Sequence, residues 1–289
     1  MQDLTSPSRR QFVCSLTLVV GALPFISFAK TSPMRRIFIT GSTDGLGRGA
    51  AVALMREGHQ VVLHARSKER AKAAFSDLAP QAAGVVIGDL ASAAQTRAVA
   101  DQVNKIGRMD AVIHNAGIFR ESGRGQTPEG HAKVLAVNTL APYMLTALIE
   151  RPDRLIYVGS SMHQGGDDSL HDIDWTERRW DTSRAYSESK LYVTALAFAI
   201  ARRWPKVLSN VVDPGWVPTK MGGPGAPDDL EQGHLTQTWL AVSDESAATV
   251  SGRYWHHRQQ QKPAAEALDV DFQNRLIAKL AELTHVELA

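Results

Sequence analysis

Short apolar runs alternate with helix-patterned stretches along the chain from residue 34 onward. The runs are rich in Val, Ile and Leu and lack an alternating polar face, as in strands that helices cover on both sides. The pattern predicts strands at residues 36–40, 60–65, 84–88, 111–115, 154–159, 207–212 and 252–256. It predicts helices at residues 47–57, 67–78, 94–106, 130–150 and 184–203, and a last helix from about residue 269 to 283.

Strands that alternate with helices are typical of successive βαβ units, in which the strands run parallel. We therefore expect an α/β fold with one doubly wound parallel sheet of about seven strands and helices on both faces. The length of 289 residues and the 44% content of hydrophobic residues are sufficient for a full core. No repeat or low-complexity linker interrupts residues 34–289, so we expect them to form one domain.

Charge and histidine content argue against two kinds of partner. The net charge is only +2 and no Lys/Arg run is long enough for a polybasic patch, so no nucleic acid is expected to bind. Cys14 is the only cysteine, which excludes an intrachain disulfide. His163 and the His256-His257 pair lack companions at ligand spacing, so no metal site is expected.

The first 33 residues have the composition of a targeting segment. Arg9-Arg10 precedes an uncharged stretch at residues 11–29 that ends in Ser27-Phe28-Ala29, which resembles a twin-arginine export signal with its cleavage site. Two alternatives remain: a retained membrane anchor, or a misassigned extension ahead of a true start at Met34. Export predicts a periplasmic protein, and a start at Met34 predicts a cytoplasmic one. In either case no span is expected in the mature domain.

A glycine-rich turn lies between the first predicted strand and the first predicted helix, where a dinucleotide phosphate would bind. Its glycines permit a tight turn and a close approach of the backbone to a pyrophosphate. Such turns also end strands for purely structural reasons. The candidate cofactor-binding residues here are Gly41, Ser42, Thr43, Gly45, Leu46 and Gly47.

The end of the second predicted strand indicates which dinucleotide would bind. A site for NAD usually has an acid here for the ribose 2′-hydroxyl, whereas an arginine accommodates the 2′-phosphate of NADP. Ala65 stands at the acid's position and Arg66 follows it. We therefore predict NADP(H) in preference to NAD(H). The structural alternative is that Arg66 is a solvated residue at the start of the next helix.

Tyr186 and Lys190 are four residues apart in a predicted helix, so their side chains lie on one face of it. A nearby ammonium favours the phenolate form and lowers the pKa of a tyrosine from its usual value of about 10. That arrangement predicts a proton donor and acceptor. A pair at this spacing also arises by chance in many chains, so other motifs must support it.

Several further motifs occur in an order and spacing that resemble the short-chain dehydrogenase/reductase family over about residues 35–283. The resemblance implies a single Rossmann-type catalytic domain at residues 34–289. The motifs, besides the glycine turn and the Tyr/Lys pair, are Asp89-Leu90, Asn115-Ala116-Gly117, Asn138, Ser160-Ser161 and residues 214–219, which include Pro214, Gly215, Val217 and Thr219.

The resemblance assigns most of these residues to the cofactor. Asp89, beside Leu90, would bind the adenine, and the turn at residues 115–117 would pass close to the adenine ribose. Pro214 and Gly215 would present backbone groups to the nicotinamide, with Val217 and Thr219 as further cofactor contacts.

The resemblance also implies the catalytic set. Lys190 would bind the nicotinamide ribose and lower the pKa of Tyr186, and Asn138 would position that lysine. One serine of the pair would hydrogen-bond the substrate oxygen beside Tyr186. The second serine usually has this role in the family, so Ser161 is predicted to be catalytic and Ser160 structural.

The segment between the serines and Tyr186 is about a dozen residues longer than is common in the family. This insertion, which contains residues 171–175, resembles the retinol dehydrogenase-like and WW-domain oxidoreductase-like branch. It could form a wall of the substrate pocket through Trp175 or Trp180, or it could be a surface excursion packed on the neighbouring helix. Both interpretations remain open.

The expected function is NADP(H)-dependent reduction of an aldehyde or ketone to an alcohol, or the reverse, with Tyr186 as general acid/base. Residues 218–240 are expected to form a mobile lid, and with Trp216 and Met162 they suggest a small apolar carbonyl or alcohol substrate. A homo-oligomer is possible. The alternatives are a non-catalytic NADP-binding sensor or scaffold, and a nucleotide-sugar epimerase or dehydratase.

Overall fold

The computed structural model of the protein describes residue 2 and residues 33–120 and 123–288. The predicted export signal or misassigned extension at residues 1–33 therefore lies, but for its residues 2 and 33, outside the described residues. Within the described ranges, no helix combines the length and apolar character needed to cross a bilayer.

One sheet of eight strands forms the centre of the fold, in the order β3-β2-β1-β4-β5-β6-β7-β8. All neighbours pair in parallel except β7 and β8, which form an antiparallel hairpin at the edge. The predicted parallel sheet is confirmed, and β8 is an addition to it. The strands are β1 (Arg36–Ile39), β2 (Gln60–Ala65), β3 (Gly84–Ile87), β4 (Ala111–His114), β5 (Arg154–Val158), β6 (Leu208–Asp213), β7 (Arg253–His256) and β8 (Gln259–Gln261).

Nine α-helical segments occur in the described part of the chain, and the longest, α6, has 22 residues. The predicted helix at residues 130–150 is instead two short helices joined by a π-helical turn at Ala136–Leu140. The helices are α1 (Gly45–Arg56), α2 (Lys68–Ala74), α3 (Ala93–Ile106), α4 (Lys133–Leu135), α5 (Ala141–Leu148), α6 (Thr182–Arg203), α7 (Gln232–Val242), α8 (Ala265–Leu268) and α9 (Val270–Thr284).

Side chains of the strands alternate between two apolar clusters, one on each face of the sheet. Helices α3, α5, α6 and α9 contribute to one cluster, and α1 and α7 contribute to the other. This confirms the doubly wound arrangement. It shortens the lid expected at residues 218–240, because Trp239 and Leu240 of α7 are buried in the second cluster, and a lid before α7 stays a prediction.

Polar caps set the starts of the helices that carry the site. Asp44 caps α1 by accepting a hydrogen bond from Gly45 N at 2.8 Å, and Ser67 caps α2 through Arg70 N at 3.2 Å. Asp181 caps α6 by accepting from the backbone of Ser183 and Arg184, each at 3.0 Å. The order of strands reverses between β1 and β4, and the carboxyl ends of these strands open a crevice for a ligand.

Candidate active site

A cavity of about 860 Å³ lies at the carboxyl ends of the parallel strands. It extends from Arg66, after β2, to Tyr186 and Lys190 on α6. Three of the predicted site residues, Ser42, Gly47 and Asn138, do not line it. Those that do are Gly41, Thr43, Gly45, Leu46, Arg66, Asp89, Leu90, Asn115, Ala116, Gly117, Ser161, Tyr186, Lys190, Pro214, Gly215, Val217 and Thr219.

The glycine turn brings the start of α1 close to β1 and β4. Gly41 has a φ of +65°, and a Cβ atom there would lie 3.0 Å from the Cα of Ala116. A Cβ atom at Gly47 would lie 2.4 Å from both the carbonyl oxygen of Gly41 and the Asn115 side-chain nitrogen. Gly47 therefore serves close packing of the helix on the turn, while Gly41 and Gly45 face the cavity.

Ser42 and His64 fix the turn from behind. The Ser42 hydroxyl accepts a hydrogen bond from His64 N at 2.8 Å, and Gly41 N donates to His64 Nδ1 at 3.0 Å. Burial lowers the pKa of His64 to about 4, so its other ring nitrogen, Nε2, donates to Gly88 O at 2.9 Å in the neutral form. Ser42 is thus turned away from the predicted ligand, and His64 is a site residue that sequence reasoning missed.

Asn115 connects β4 to the same turn. Its side-chain amide donates to the carbonyl oxygens of Thr40 and Gly41 at 3.0 and 3.3 Å. The Thr40 hydroxyl accepts in return from the backbone of Asn115 and Ala116, each at 3.0 Å. These bonds hold Ala116 and Gly117 at the cavity surface.

Two arginines lie at the far end of the cavity, Arg66 in the exposed loop after β2 and Arg70 on α2. The cap of α2 is Ser67 and not Arg66, while Arg66 itself is exposed, so its role in choosing the dinucleotide stays a prediction. The Asp44 carboxylate has the opposite charge to these arginines, but it forms an ion pair with Lys220. The hydrogen bond from Lys220 lowers the pKa of Asp44. Asp44, Arg70 and Lys220 all line the cavity and were absent from the sequence prediction.

Tyr186 and Lys190 are buried next to each other on α6, with 7% and 4% of their surfaces exposed. The Lys190 ammonium donates to Val158 O at 2.7 Å and lies 5.6 Å from the centre of the Tyr186 ring. Burial raises the pKa of Tyr186 to about 12 and lowers that of Lys190 to about 8. The pKa of Tyr186 thus lies above its ordinary value and not towards neutrality, as was expected from Lys190, because burial is the largest influence on it.

Of the two serines, Ser160 is the one that contacts the phenol. Its hydroxyl hydrogen-bonds Tyr186, which lowers the pKa of that group against the effect of burial, and it accepts from Met162 N at 3.3 Å. β5 ends at Val158, so Ser160 caps the 3₁₀ turn at Ser161–Gly165, whereas Ser161 is already in that turn and exposed. Both serines line the cavity, and the contact with the phenol is made by Ser160, whereas the carbonyl-orienting role was predicted for Ser161.

Asn138 lies in the π-helical turn and is buried. Its side-chain oxygen accepts from Ile118 N at 2.9 Å, and its amide donates to Ile118 O and to the Ser189 hydroxyl, each at 3.0 Å. It thus connects the loop after β4 to α6, one residue before Lys190. Asn138 acts on the site through its neighbours and does not itself line the cavity.

The surface of the cavity beyond Tyr186 is apolar. The Phe119 ring lies 4.4 Å, centre to centre, from the Tyr186 ring. This end is completed by Ile118, Met162, Trp216 and Met221.

The insertion packs behind this surface without lining it. Trp175 and Trp180 form a small apolar cluster with Val134, Ala185 and Tyr186. Because neither tryptophan lines the cavity, the structure does not support the pocket-wall interpretation and favours an excursion packed on the neighbouring helix, α6.

A bidentate ion pair attaches the insertion to α6. Arg178 donates from both terminal nitrogens to the buried Glu188 carboxylate at 2.9 Å, and Trp175 Nε1 donates to the same group at 2.9 Å. The Arg178 guanidinium also lies 3.9 Å from the centre of the Trp175 ring. Glu188 stands between Tyr186 and Lys190 in the sequence, so this pair anchors the insertion at the centre of the catalytic helix.

Residues 214–222, which follow β6, close the near side of the cavity. Thr219 packs on the glycine turn, since a Cβ atom at Gly45 would lie 3.1 Å from its methyl carbon. In the parts of the chain that the structure describes, no group of three or more His, Cys, Asp or Glu side chains could hold a metal ion.

Comparison with known proteins places this site in a family. The model of a family described as "Enoyl-(Acyl carrier protein) reductase" matches residues 41–247. The short-chain dehydrogenase chry4 of Gibberella zeae is 41% identical over 262 residues, which cover 88% of this chain and 99% of that protein. Human retinol dehydrogenase 13 is 30% identical over 291 residues, which cover 89% of this chain and 86% of that protein.

A solved structure is also similar to this chain over most of its length. A crystal structure of a protein from Mycobacterium paratuberculosis superposes with a TM-score of 0.78 at 26% identity, over 89% of this chain and 97% of that one. The chain is an oxidoreductase that belongs to the short-chain dehydrogenase/reductase family, near its retinol dehydrogenase branch.

Proposed function

We propose that this protein is an NADP(H)-dependent oxidoreductase that reduces an apolar aldehyde or ketone to the alcohol, or catalyses the reverse reaction with the same groups. One observation carries the proposal. A single cavity has two arginines at one end and, at the other, a phenol and a serine hydroxyl next to a buried ammonium.

The residues at the arginine end fit a phosphorylated dinucleotide. The turn at residues 41–47 leaves no room for side chains at its closest contacts, which brings backbone N–H groups to the surface where a pyrophosphate would bind. Arg66 and Arg70 suit a 2′-phosphate, and Ala65 leaves no acid to oppose it. The negative charge of Asp44 is offset by Lys220.

The opposite end would bind the nicotinamide ribose through Lys190 and the nicotinamide through the backbone of Pro214 and Gly215. When bound, the cofactor supplies or accepts the hydride. The protein would hold the substrate oxygen between the hydroxyls of Tyr186 and Ser160. Asn138 would fix the position of α6 relative to the loop at residue 118, and so the position of Lys190.

The protonation state of Tyr186 favours the reductive direction. With a pKa raised to about 12 by burial, the phenol carries its proton at neutral pH and can give it to the oxygen that becomes the alkoxide. The Ser160 hydroxyl, which contacts the phenol, would stabilise the same oxygen. We assign the carbonyl-orienting role to Ser160 and retain Ser161 as its control.

The substrate would have an apolar body next to its carbonyl group. Phe119, Met162, Trp216 and Met221 provide the adjacent surface, and the Phe119 ring packs directly on the Tyr186 ring. The serine hydroxyl next to a buried phenol and a buried ammonium would have no purpose in a non-catalytic sensor or scaffold. An epimerase or dehydratase of nucleotide sugars would need polar groups where this apolar surface lies.

The test is an NADPH-consumption screen of aldehydes, ketones, quinones and enoyl thioesters, with wild type, Tyr186→Phe and a matched Tyr192→Phe control. Tyr192 is a buried tyrosine on the same helix that packs on Phe272. We expect a carbonyl substrate, a fall in kcat of about 10²–10⁴-fold in Tyr186→Phe, and little change in Tyr192→Phe.

Both variants should still bind NADPH, as measured by calorimetry. Three results would contradict the proposal: tight NADPH binding without turnover of any carbonyl, turnover of enoyl thioesters alone, or undiminished carbonyl turnover in Tyr186→Phe.

A further inference from the structure

Asp213 is a buried acid at the active-site end of the sheet, with 7% of its surface exposed. It is the last residue of β6 and directly precedes Pro214 and Gly215. A buried carboxylate is costly unless nearby groups compensate its charge. Its neighbours therefore indicate what it does.

The strand register puts Asp213 on the same face of the sheet as the catalytic helix. Val212 pairs with Val158 of β5 and with Trp255 of β7, and its side chain belongs to the cluster on the opposite face. Val211 belongs to the cluster that α6 covers. Because side chains alternate along a strand, Asp213 points to the side of Val211 and α6.

Titratable groups approach Asp213 from three elements. His256, the register partner of Asp213 in β7, bonds through its Nδ1 to Asp213 O at 3.2 Å. The charge of Asp213 also acts on Tyr186 and Lys190 of α6, on Tyr254 of β7, and on His163 of the 3₁₀ turn after β5. Burial is the largest influence on the pKa of each of these four groups, and the negative charge of Asp213 raises all four pKa values.

Hydrogen bonds hold His163 in its neutral form. His163 Nδ1 bonds to Ser160 O at 2.7 Å, while His163 Nε2 accepts from Ala264 N at 2.9 Å. Its ring lies 4.7 Å, centre to centre, from the Tyr254 ring. Burial lowers the pKa of His163, so this histidine does not compensate the carboxylate with a positive charge near neutral pH.

The other buried acid near the pair has a different partner. Glu188 is on α6 itself, but its carboxylate is bound by Arg178 and by Trp175 Nε1. Within the described residues, the charge that acts on Lys190 is that of Asp213. Lys190 and Asp213 are thus a cation and an anion, both buried, on elements that face each other.

We propose that Asp213 is a positioning residue for proton transfer: its carboxylate is the counter-charge that keeps Lys190 as an ammonium and Tyr186 as a phenol. The proposal rests on the proposed function, because it gives the carboxylate a role in reduction. Loss of the negative charge would act on both groups in the same direction, so each would lose its proton at a lower pH. The protein would then stop acting as an acid earlier in an alkaline titration.

Asp213→Asn tests the charge while keeping the shape. The Asp213 side chain accepts from Gly215 N at 3.0 Å, and an amide oxygen can accept the same bond. We expect the alkaline limb of the pH profile of kcat for carbonyl reduction to move down by about 1–3 pH units, the usual effect of an adjacent charge. Asp213→Glu keeps the charge and should leave the limb close to its wild-type position.

Asp228→Asn is the control for the loop. Asp228 accepts a hydrogen bond from Trp216 N, so it is an acid of the same segment that does not act on Tyr186 or Lys190. Whatever this variant does to the rate, the limb should not move. A lower rate in Asp213→Asn with an unmoved limb would make Asp213 a purely structural residue and overturn the proposal.

A second measurement does not depend on turnover. The Lys190 side chain can be titrated by NMR in protein with ¹³C-labelled lysine, with Lys190→Met to assign its signal. Its midpoint, expected near pH 8 in the wild type, should fall in Asp213→Asn. An unchanged midpoint would refute the proposal even if the enzyme is active. A lowered midpoint in a protein that reduces no carbonyl would leave the charge pair standing and reject the proposed function. If Asp213→Asn does not fold, Asp213→Ser replaces it in both measurements.

Discussion

The two ends of the cavity are built in different ways. At the cofactor end, backbone conformation and accessible cations make the site, namely the glycine turn with Arg66 and Arg70. At the substrate end the active groups are buried, and burial raises the pKa of Tyr186 to about 12 and lowers that of Lys190 to about 8. A change of either arginine at the first end should alter cofactor choice alone. A change at the second should affect chemistry, stability and pH dependence together.

Breaking the ion pair between Arg178 and Glu188 should have the largest effect on the stability of the protein. Arg178→Met would leave the buried Glu188 carboxylate with the Trp175 indole as its remaining donor from the insertion. Breaking a buried pair by removing one partner costs about 3–5 kcal/mol. We expect urea denaturation to report a loss of that size in the free energy of unfolding, with reduced carbonyl turnover because Trp175 loses its support.

Two controls define this loss. The double variant Arg178→Met/Glu188→Met also removes the Glu188 charge and should recover part of the stability, although Asp172 still loses its ion pair with Arg178. Lys279→Met breaks the more exposed Lys279–Glu282 pair and should cost less than about 1 kcal/mol. Equal losses in Arg178→Met and Lys279→Met would show that the insertion is not anchored by a buried charge pair.

The serine pair is the next test of the substrate end. Ser160→Ala should lower kcat about 10²–10³-fold, the usual cost of one donor to a developing oxyanion, with little change in the KM for NADPH. Ser161→Ala should have an effect of less than about threefold, because Ser161 is exposed in the following turn and Ser160 is the serine that contacts the phenol. Steady-state kinetics of the two variants side by side decide the assignment. The reverse ranking would restore the role to Ser161.

The arginines test the cofactor end. Arg66→Ala and Arg70→Ala should each raise the Kd for NADPH by about 10- to 100-fold, since a hydrogen bond to a charged group contributes about 1.5–3 kcal/mol. The Kd for NADH and the thermal stability should change little, because neither arginine contributes to the core. Calorimetric titration with both cofactors measures the selectivity. A parallel loss of affinity for NADPH and NADH would mean that the arginines do not recognise the 2′-phosphate.

The difference between the two ends also explains what could be predicted from the sequence. Gly41 and Gly47 can be identified from the sequence because only glycine, which has no side chain, fits at these positions of the turn, and the turn is local in the chain. The raised pKa of Tyr186 cannot be predicted in this way, because the burial of the side chain depends on elements that are far apart in the sequence. The choice between Ser160 and Ser161 depends on where β5 ends, and spacing across an insertion does not define that position.

Two parts of the fold were missed for related reasons. The β8 strand consists of three exposed glutamines and forms by pairing with β7. Its sequence has no apolar residue that would predict a strand. The π-helical turn at Ala136–Leu140 has the same apolar pattern as an ordinary helix, so residues 130–150 were predicted as one. In both cases tertiary contacts, rather than local preference, decide the structure.

The smallest expected effect is a pH dependence of stability at the substrate end. His131 and Asp174 join the loop before α4 to the insertion, with 2.7 Å between ring nitrogen and carboxylate. That hydrogen bond raises the pKa of His131 above its ordinary value of 6.5. The pair therefore contributes its full stability below about pH 6.5, and the contribution is lost as the pH rises through the raised pKa of the folded state.

His131→Gln isolates this contribution from the other buried histidines. Burial lowers the pKa values of His64 and His163, so their protonation destabilises the folded state at low pH, which is the opposite sign. We expect the difference in unfolding free energy between wild type and His131→Gln to be on the order of 1 kcal/mol at about pH 5.5 and close to zero at about pH 8. Urea denaturation at several pH values measures it. Among the described residues that line the cofactor end, no histidine pairs with a carboxylate, so NADPH affinity should not follow this titration. A stability difference that stays constant with pH would mean that His131 contributes through packing and not through charge.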